Sequence, residues 1–179
     1  MGKIIVSMYM TMDGVIEAPS WTAPYWNDEI ANLQHTLLFE SDSLLLGRTT
    51  YEEFAEAWPK MQDEEGFAER MNSLPKFVAS ETFETSEWNA TFLKGNLAEE
   101  VQKLKQNDHT MLVYGSARLV QMLLEHDLID ELHVMVFPLV LGEGKRLFKV
   151  GQTEKKFSLG TSKATTTGVI LSSYVPAGT

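Results

Sequence analysis

A glycine and a serine separate an apolar run from a helical pattern near the middle of the chain. Residues 111–114 (Met-Leu-Val-Tyr) predict a fully buried strand, and the apolar residues after the turn fall at helical spacing. Gly115 lets a ligand approach the backbone, and the unpaired N–H groups of a helix that begins near Ser116 favour a phosphate. This junction therefore predicts an anion-binding turn, with an ordinary strand-to-helix turn as the alternative.

Two further strands end in the same way. Residues 44–46 (Leu-Leu-Leu) stop at Gly47-Arg48-Thr49-Thr50 before a helical pattern, and residues 76–80 form a strand with Ser80 at its carboxyl end. Because the carboxyl ends of parallel strands meet at one edge of a sheet, the three junctions are expected to converge. The planar fork of Arg48 suits a phosphate, although a surface salt bridge is its alternative role. The pattern predicts a nucleotide-sized site.

The remaining elements are those that must position this edge. Residues 3–12 predict a first strand that ends at Asp13-Gly14, and Asn27 is a candidate cap for a helix with Asp28 and Glu29 in its first turn. Further elements are a helix that ends before Pro59, a short helix at 67–71, strands at 88–93 and 132–137, a helix after Asn96, and a hairpin of 157–160 with 169–175. We therefore expect an α/β fold with a mainly parallel sheet flanked by helices and an antiparallel C-terminal hairpin.

Composition limits the size and the partners. The chain has 179 residues, of which 44% are hydrophobic, so a single domain over residues 1–179 is expected. A net charge of −10 argues against nucleic acid and anionic membranes as partners. No run approaches the roughly 18 apolar residues of a membrane helix, and no signal peptide is recognisable, so we expect a cytoplasmic protein. The apolar residues 132–137 and 139–141 predict an exposed edge that a homodimer could cover.

Metal chemistry is not expected from this composition. The chain has no cysteine, which removes thiol nucleophiles and Cys-type zinc sites. The histidines show no metal-ligand spacing; they are His35, His109, His126 and His133.

Taken together, these segments resemble a known family. They are residues 7–16 with Met12-Asp13-Gly14, 45–52 (LLGRTTYE), 76–80 (KFVAS), 113–117 (VYGSA), and 128–148 with Pro138, Gly142 and Gly144. In this order they resemble the dihydrofolate reductase-like superfamily. The closer resemblance is to the reductase domain of bacterial riboflavin biosynthesis, the RibD C-terminal domain, in its stand-alone form. It spans nearly the whole chain.

This resemblance implies a mixed, mainly parallel sheet that binds NADPH across its carboxyl edge. It assigns Gly47-Arg48-Thr49 to the adenosine-phosphate motif, with Arg48 on the 2′-phosphate. It assigns the other cofactor contacts to Met8, Tyr9, Ile16, Ser80, Gly115, Ser116, Ala117, Arg118 and Leu119. The implied cofactor is NADPH and the implied partner is a small-molecule substrate.

Three positions depart from the family or leave its pattern open. The usual glycine pair is Gly115-Ser116 here, which weighs against the cis peptide bond of close relatives of dihydrofolate reductase. Tyr114 stands where riboflavin-pathway reductases commonly carry glutamate, which weakens the assignment of their pyrimidine substrate. The acidic residue of the first long helix corresponds to Asp28 or Glu29. We take Asp28 as the candidate proton donor, with a helix-dipole partner as the alternative.

The leading functional hypothesis is an NADPH-dependent reductase of a small heterocyclic substrate, such as 5-amino-6-(5-phosphoribosylamino)uracil. The substrate pocket is expected to involve Trp26 and Tyr114, together with Tyr9, Trp21 and Phe137, although Phe137 and one tryptophan are expected in the core. The alternatives are a cofactor-binding or regulatory module without turnover, and a reductase of a pterin or folate. A flavodoxin-like flavin protein is disfavoured because its phosphate loop would follow the first strand, where Asp13-Gly14 stands.

Overall fold

The computed structural model describes residues 1–82 and 87–178, and within them eight strands form one sheet. The strands are β1 (Ile4–Thr11), β2 (Ser43–Gly47), β3 (Lys76–Ala79), β4 (Ala90–Leu93), β5 (Met111–Val113), β6 (Glu131–Phe137), β7 (Phe157–Ala164) and β8 (Ile170–Pro176). Their order is β4-β3-β2-β5-β1-β6-β8-β7. The first six positions pair in parallel, whereas β8 pairs antiparallel with β6 and with β7. The expected mixed, mainly parallel α/β sheet is confirmed.

The helices cover the two faces of this sheet. They are α1 (Asp28–Phe39), α2 (Arg48–Ala57), α3 (Phe67–Ser73), α4 (Leu97–Gln106) and α5 (Ala117–Glu125), with 3-10 turns at Pro19–Tyr25 and Trp58–Lys60. Apolar side chains of α1, α2 and α3 pack on one face, and those of α4 and α5 pack on the other. The side chain of Asn27 caps α1 and that of Asn96 caps α4, as the sequence predicts.

The central strands are buried on both faces because helices cover each of them. Ile4 and Val6 of β1 face the α4–α5 layer, whereas Ile5 faces the α1–α3 layer. This alternation explains why the central strands are nearly continuous apolar runs. It also fixes the register in which Ile4 pairs with Met111 and Ile5 with Glu131.

The C-terminal region differs from the prediction in two ways. Strand β7 continues to Ala164, past the predicted end at residue 160, because its exposed polar residues give no hydrophobic signal. The prediction that residues 132–137 form an exposed edge is wrong, since β6 lies between β1 and β8. The homodimer itself stays a prediction.

At the amino edge of the sheet, Lys76 and Asp130 each have partners within the protein. Lys76, at the start of β3, is 0% exposed; its Nζ donates to the Asn72 carbonyl at 2.8 Å and lies 3.9 Å from the centre of the Trp88 ring. Burial lowers the pKa of Lys76 to about 8. Asp130 accepts from the Ile4 N–H at 2.7 Å and pairs with Lys105 at 2.8 Å.

Candidate functional site

The three predicted junctions meet at the carboxyl edge of the sheet. The Gly47 N–H donates to the Gly115 carbonyl at 2.9 Å, which joins the ends of β2 and β5. A Cβ on Gly47 would lie 2.7 Å from the Ser116 nitrogen, so the two turns can approach this closely only with glycine at position 47. Residue Gly47 also pairs with Ala79, which brings Ser80 to the same edge.

The turn after β5 has an unusual backbone. Gly115 has a φ of +143°, and a Cβ there would lie 2.8 Å from the Thr50 Oγ1. The Gly115–Ser116 peptide bond is cis, so the expectation that serine at 116 weighs against it is wrong. Ser116 has φ −84° and ψ 177°, an ordinary extended conformation, so only the first residue of the pair must be glycine. Helix α5 then begins at Ala117 without a side-chain cap on its first N–H groups.

A cavity of about 1010 Å³ opens over this edge. It reaches the upper end of the range typical of small-molecule sites, about 300–1,000 Å³, so it has room for more than one small ligand. The predicted site residues that it brings together are Met8, Tyr9, Ile16, Trp26, Thr49, Tyr114, Gly115, Ser116, Ala117 and Arg118.

Other predicted residues lie outside the cavity lining. Leu119, on the inner face of α5, is buried in the core, and Ser80 follows the end of β3. The exposed Arg48 begins α2 beside Gly47, and its Nε lies 3.2 Å from the Glu52 carboxylate. Asp28 is exposed in the first turn of α1 and does not line the cavity.

The aromatic residues predicted for the pocket divide into two groups. Trp26 is 43% exposed and meets Tyr9 edge-on, with the ring centres 5.8 Å apart, at the cavity. Phe137 is fully buried and packs against Trp21 at 5.3 Å, outside the cavity lining, as expected for core residues.

A hydrogen-bonded relay in the cavity wall was missed by sequence reasoning. The Ser7 hydroxyl donates to the Gln34 Oε1 at 2.8 Å, and the Gln34 Nε2 donates to the Tyr9 hydroxyl oxygen, also at 2.8 Å. Tyr9 therefore retains its own proton for another acceptor. The available signal was Gln34 itself, because a glutamine one turn after Ile30 and three residues before Leu37 lies on the apolar face of α1.

Tyr114 presents a second phenol to the cavity. Its hydroxyl is buried and has no hydrogen-bond partner among the described residues. Burial, reinforced by the nearby Tyr9, raises the pKa of Tyr114, and burial also raises the pKa of Tyr9. Both phenols are therefore neutral hydrogen-bond donors near pH 7. The Tyr114 ring lies 5.9 Å from that of Phe54.

The charged residues that line the cavity fall into two groups. We call one group the basic half: Arg118 of α5 with Lys145, Arg146 and Lys149 of the segment after β6. We call the other the acidic half: Glu53 of α2 with Asp63 and Glu65 of the segment before α3. Glu17 also lines the cavity, but its carboxylate accepts a hydrogen bond from the Lys145 N–H at 3.0 Å, within the basic half.

The basic half is built from two loops tied together. The Ile16 N–H donates to the Lys145 carbonyl at 2.9 Å, and the Gly142 N–H donates to the Asp13 carboxylate at 2.7 Å. Hydrogen bonds from the Thr11 hydroxyl and from the Gly142 N–H lower the pKa of Asp13 to about 2. Asp13-Gly14, predicted as a turn, thus positions the lysines and arginines of the neighbouring loop.

Neither a metal-ligating cluster nor a membrane-spanning helix is found in the described part of the chain. Among residues 1–82 and 87–178, no cluster of three or more potential metal-ligating side chains is present. Within the same ranges, no helix has the length and apolar character needed to cross a membrane.

The fold and its cavity define an α/β protein of the dihydrofolate reductase-like type. The chain belongs to the RibD C-terminal domain family, whose sequence model matches residues 2–171. The uncharacterized protein YyaP of Bacillus subtilis is 32% identical over 151 residues, which cover 82% of this chain and 80% of YyaP.

Solved structures support the same fold. A candidate riboflavin biosynthesis protein from Shewanella sp. PV-4 superposes with a TM-score of 0.82 at 23% identity, covering 98% of this chain and 99% of that one. A diaminohydroxyphosphoribosylaminopyrimidine deaminase/5-amino-6-(5-phosphoribosylamino)uracil reductase from Thermotoga maritima gives a TM-score of 0.68 at 14% identity, covering 98% of this chain and 57% of that one. At these identities the likeness establishes the fold, which is that of reductases related to riboflavin biosynthesis.

Proposed function

We propose that this protein is an NADPH-dependent reductase of a small heterocyclic substrate. One observation carries the proposal: a basic half beside the Gly115–Ser116 turn opens into the same cavity as an aromatic pocket with two neutral phenols. Such a cavity can hold a dinucleotide phosphate group and a flat substrate side by side. Membership of the RibD C-terminal domain family supports the same assignment.

The residues present fit the cofactor. Gly115 has no side chain to block a diphosphate, and the first N–H groups of α5 together with Arg118 would hold it. Met8 and Ile16 would lie against the nicotinamide, which supplies the hydride when NADPH is bound. Arg48 stands at the rim beside Gly47, where a 2′-phosphate could exchange for its surface contact with Glu52.

The substrate pocket lies between α1, α2 and α3. Phe54, Trp58 and Phe67 form an aromatic wall, with Trp58 and Phe67 5.4 Å apart, and exclude water from a flat ring bound there. Tyr9 can donate its proton to a reduced ring atom, because its oxygen already accepts from Gln34.

A second candidate function has a specific observation behind it. The predicted proton donor Asp28 is outside the cavity lining. This favours, as the alternative, a module that binds cofactor without turnover.

The cofactor proposal is tested through Arg48. Arg48→Ala should remove the preference for NADPH over NADH, because a charged hydrogen bond contributes roughly 1.5–3 kcal/mol, or about tenfold to over a hundredfold in affinity. Lys60→Ala is the matched control, since Lys60 forms a similar i,i+4 pair with Glu56 just after α2. Calorimetric titration of both cofactors is the measurement, and equal affinities for them in the unmutated protein would contradict the proposal.

Turnover decides between the two candidates. NADPH oxidation should be observed at 340 nm with an aminopyrimidine, a pterin or a folate as the added substrate. Oxidation above the rate without substrate identifies a reductase, whereas NADPH binding with no oxidation by any of the three favours the module.

A further inference from the structure

The acidic half and the basic half of the cavity come from opposite faces of the sheet. The acidic half belongs to the α1–α3 layer, where Glu53 lies on α2 and the other two acids precede α3. The basic half belongs to the opposite layer, where Gln121 of α5 binds the carbonyls of Arg146 and Leu147 at 3.3 and 3.1 Å. Within the described residues, no lysine or arginine of α1, α2, α3 or of residues 61–66 lines the cavity.

The acids of the acidic half stand beside the aromatic wall. Glu53 immediately precedes Phe54, and Glu65 lies two residues before Phe67. The His35 Nε2 lies 3.3 Å from the backbone carbonyl of Glu65, and the Ala68 N–H donates to the Asp63 carboxylate at 3.3 Å. A phosphate or carboxylate bound at this wall would meet three negative charges and no arginine or lysine of the lining.

An independent observation indicates that a ligand binds in this pocket. The Tyr114 hydroxyl is buried in the cavity wall without a partner, and a buried polar group of this kind is costly unless something pairs with it. Tyr9 stands nearby with a proton that the relay leaves available. Two neutral donors at one place fit an acceptor atom, such as a carbonyl oxygen or a ring nitrogen.

We propose that the substrate is an aromatic heterocycle that carries no phosphate or carboxylate. Its carbonyl or ring-nitrogen acceptor faces Tyr9 and Tyr114, and its neutral or amino-bearing edge faces Glu53, Asp63 and Glu65. This inference rests on the proposed reductase function. The proposed substrate differs from the phosphoribosyl compound named for the Thermotoga relative, because that compound carries a phosphate.

The test is a matched pair of ligands. The probes are 5-amino-6-ribosylaminouracil and its 5′-phosphate, titrated by calorimetry into the full chain. Saturating NADP⁺ is present to occupy the basic half, or inorganic phosphate if NADP⁺ does not bind. The phosphate ester then cannot bind through its phosphate at the basic half. The unphosphorylated compound should bind roughly tenfold or more tightly than the ester, because three carboxylates repel the phosphate.

A charge variant tests the cause. Glu53→Gln should narrow the difference in affinity between the two ligands by roughly twofold, since it removes one of the three repelling charges that together give roughly tenfold. Glu56→Gln is the matched control, because Glu56 lies on the same helix and is exposed like Glu53 but does not line the cavity. It should leave the difference unchanged.

The outcomes separate this inference from the proposed function. Tighter binding of the ester, equal affinities, or no binding of the unphosphorylated compound overturns the inference. Absence of NADPH binding in a separate titration overturns the cofactor assignment. The comparison of the unphosphorylated compound with its 5′-phosphate remains valid in that case.

Discussion

The two edges of the sheet differ in what surrounds their buried polar groups. At the amino edge, Lys76 donates to the Asn72 carbonyl and lies over the Trp88 ring. At the carboxyl edge, the Tyr114 hydroxyl is buried and unpaired among the described residues. The comparison teaches that the buried charge of the amino edge is paired inside the protein, whereas the unpaired Tyr114 hydroxyl faces a cavity. The Ser43 hydroxyl and the His109 Nε2 at the amino edge are also buried without a partner among the described residues, so it is the cavity that distinguishes the carboxyl edge.

The backbone has uncommon conformations at both edges, but of different kinds. At the amino edge, Trp88, Asn89 and Asp108 precede β4 and β5 with left-handed φ angles of 54° to 56°. The amino ends of β1 and β5 are joined to their neighbours by ordinary pairs, such as the Thr110 N–H with Asp42 at 2.8 Å. The carboxyl end of β5 instead has Gly115 at a φ of +143° against Thr50. Uncommon conformations of this kind persist where the surrounding structure holds them, and they cluster at functional sites.

Gly115→Val should produce the largest effect. A branched Cβ would collide with Thr50 and fill the turn that receives the diphosphate, so NADPH binding should be lost in a calorimetric titration. Circular dichroism on the same preparation checks that the chain is folded.

Gly95→Val serves as the control for backbone strain. Gly95 also has a positive φ, of +86°, but a Cβ there meets nothing within 4 Å and the residue is outside the cavity lining. It should lower stability by about 1–3 kcal/mol and leave cofactor affinity unchanged. Unaltered affinity in Gly115→Val would place the phosphate site elsewhere.

The buried Lys76 of the amino edge is tested by measuring how stability changes with pH. Because burial lowers the pKa of Lys76 to about 8 from an ordinary 10.5, the unfolded chain binds a proton between these values that the folded chain does not. Stability should therefore rise with pH from about 8 to 9.5, by up to about 1.4 kcal/mol per unit. Urea unfolding of the unmutated chain and of Lys76→Met measures this, and the variant should lack the rise. A flat profile in both would mean that the Trp88 ring keeps the lysine charged.

Tyr114→Phe should have a smaller effect, and it should stabilise the protein. Removal of a hydrogen-bonded hydroxyl, by contrast, destabilises a protein. Removing an unpaired buried hydroxyl should raise the free energy of unfolding by about 1 kcal/mol and weaken substrate binding. Tyr51→Phe is the counterpart, since the Tyr51 hydroxyl donates to the Glu87 carbonyl at 2.9 Å, and its loss should destabilise by about 1 kcal/mol. Destabilisation of both variants would show that Tyr114 has a structural partner.

The smallest effect is expected from Asp28→Asn. Asp28 is exposed in the first turn of α1, outside the cavity lining, so we expect only the loss of a helix-dipole interaction of about 0.3–1 kcal/mol. Turnover and thermal midpoint should be measured on one preparation. A fall in turnover of roughly 10²–10⁴ would instead restore the sequence prediction that Asp28 is the proton donor.

The carboxyl edge was predictable because its signals are local. A buried strand, a glycine and a helical pattern occur together at Gly47 and at Gly115, so the junctions were predictable within a few residues. The helix caps at Asn27 and Asn96 were predictable for the same reason, since the capping side chain lies next to the helix it caps.

The acidic half could not be predicted in this way. Its residues come from α2 and from a loop, and only the packing of α1, α2 and α3 brings them to one wall. Phe54 and Phe67 fit the apolar faces of their helices and are indistinguishable in sequence from core residues. The second half of the polar hairpin strand β7, residues 161–164, escaped prediction for another reason, because an exposed strand shows no alternation.

The strand order also has a consequence for how the chain reaches this structure. Strand β1 lies between β5 and β6, so Ile4 has to wait for Met111 and Ile5 for Glu131 before either can pair. Contacts this distant in sequence slow folding, because a long loop must close before the pairing stabilises anything. We expect that a nascent chain cannot complete the parallel part of its sheet until β6 has left the ribosome, and that until then the apolar strand β1 is exposed to aggregation.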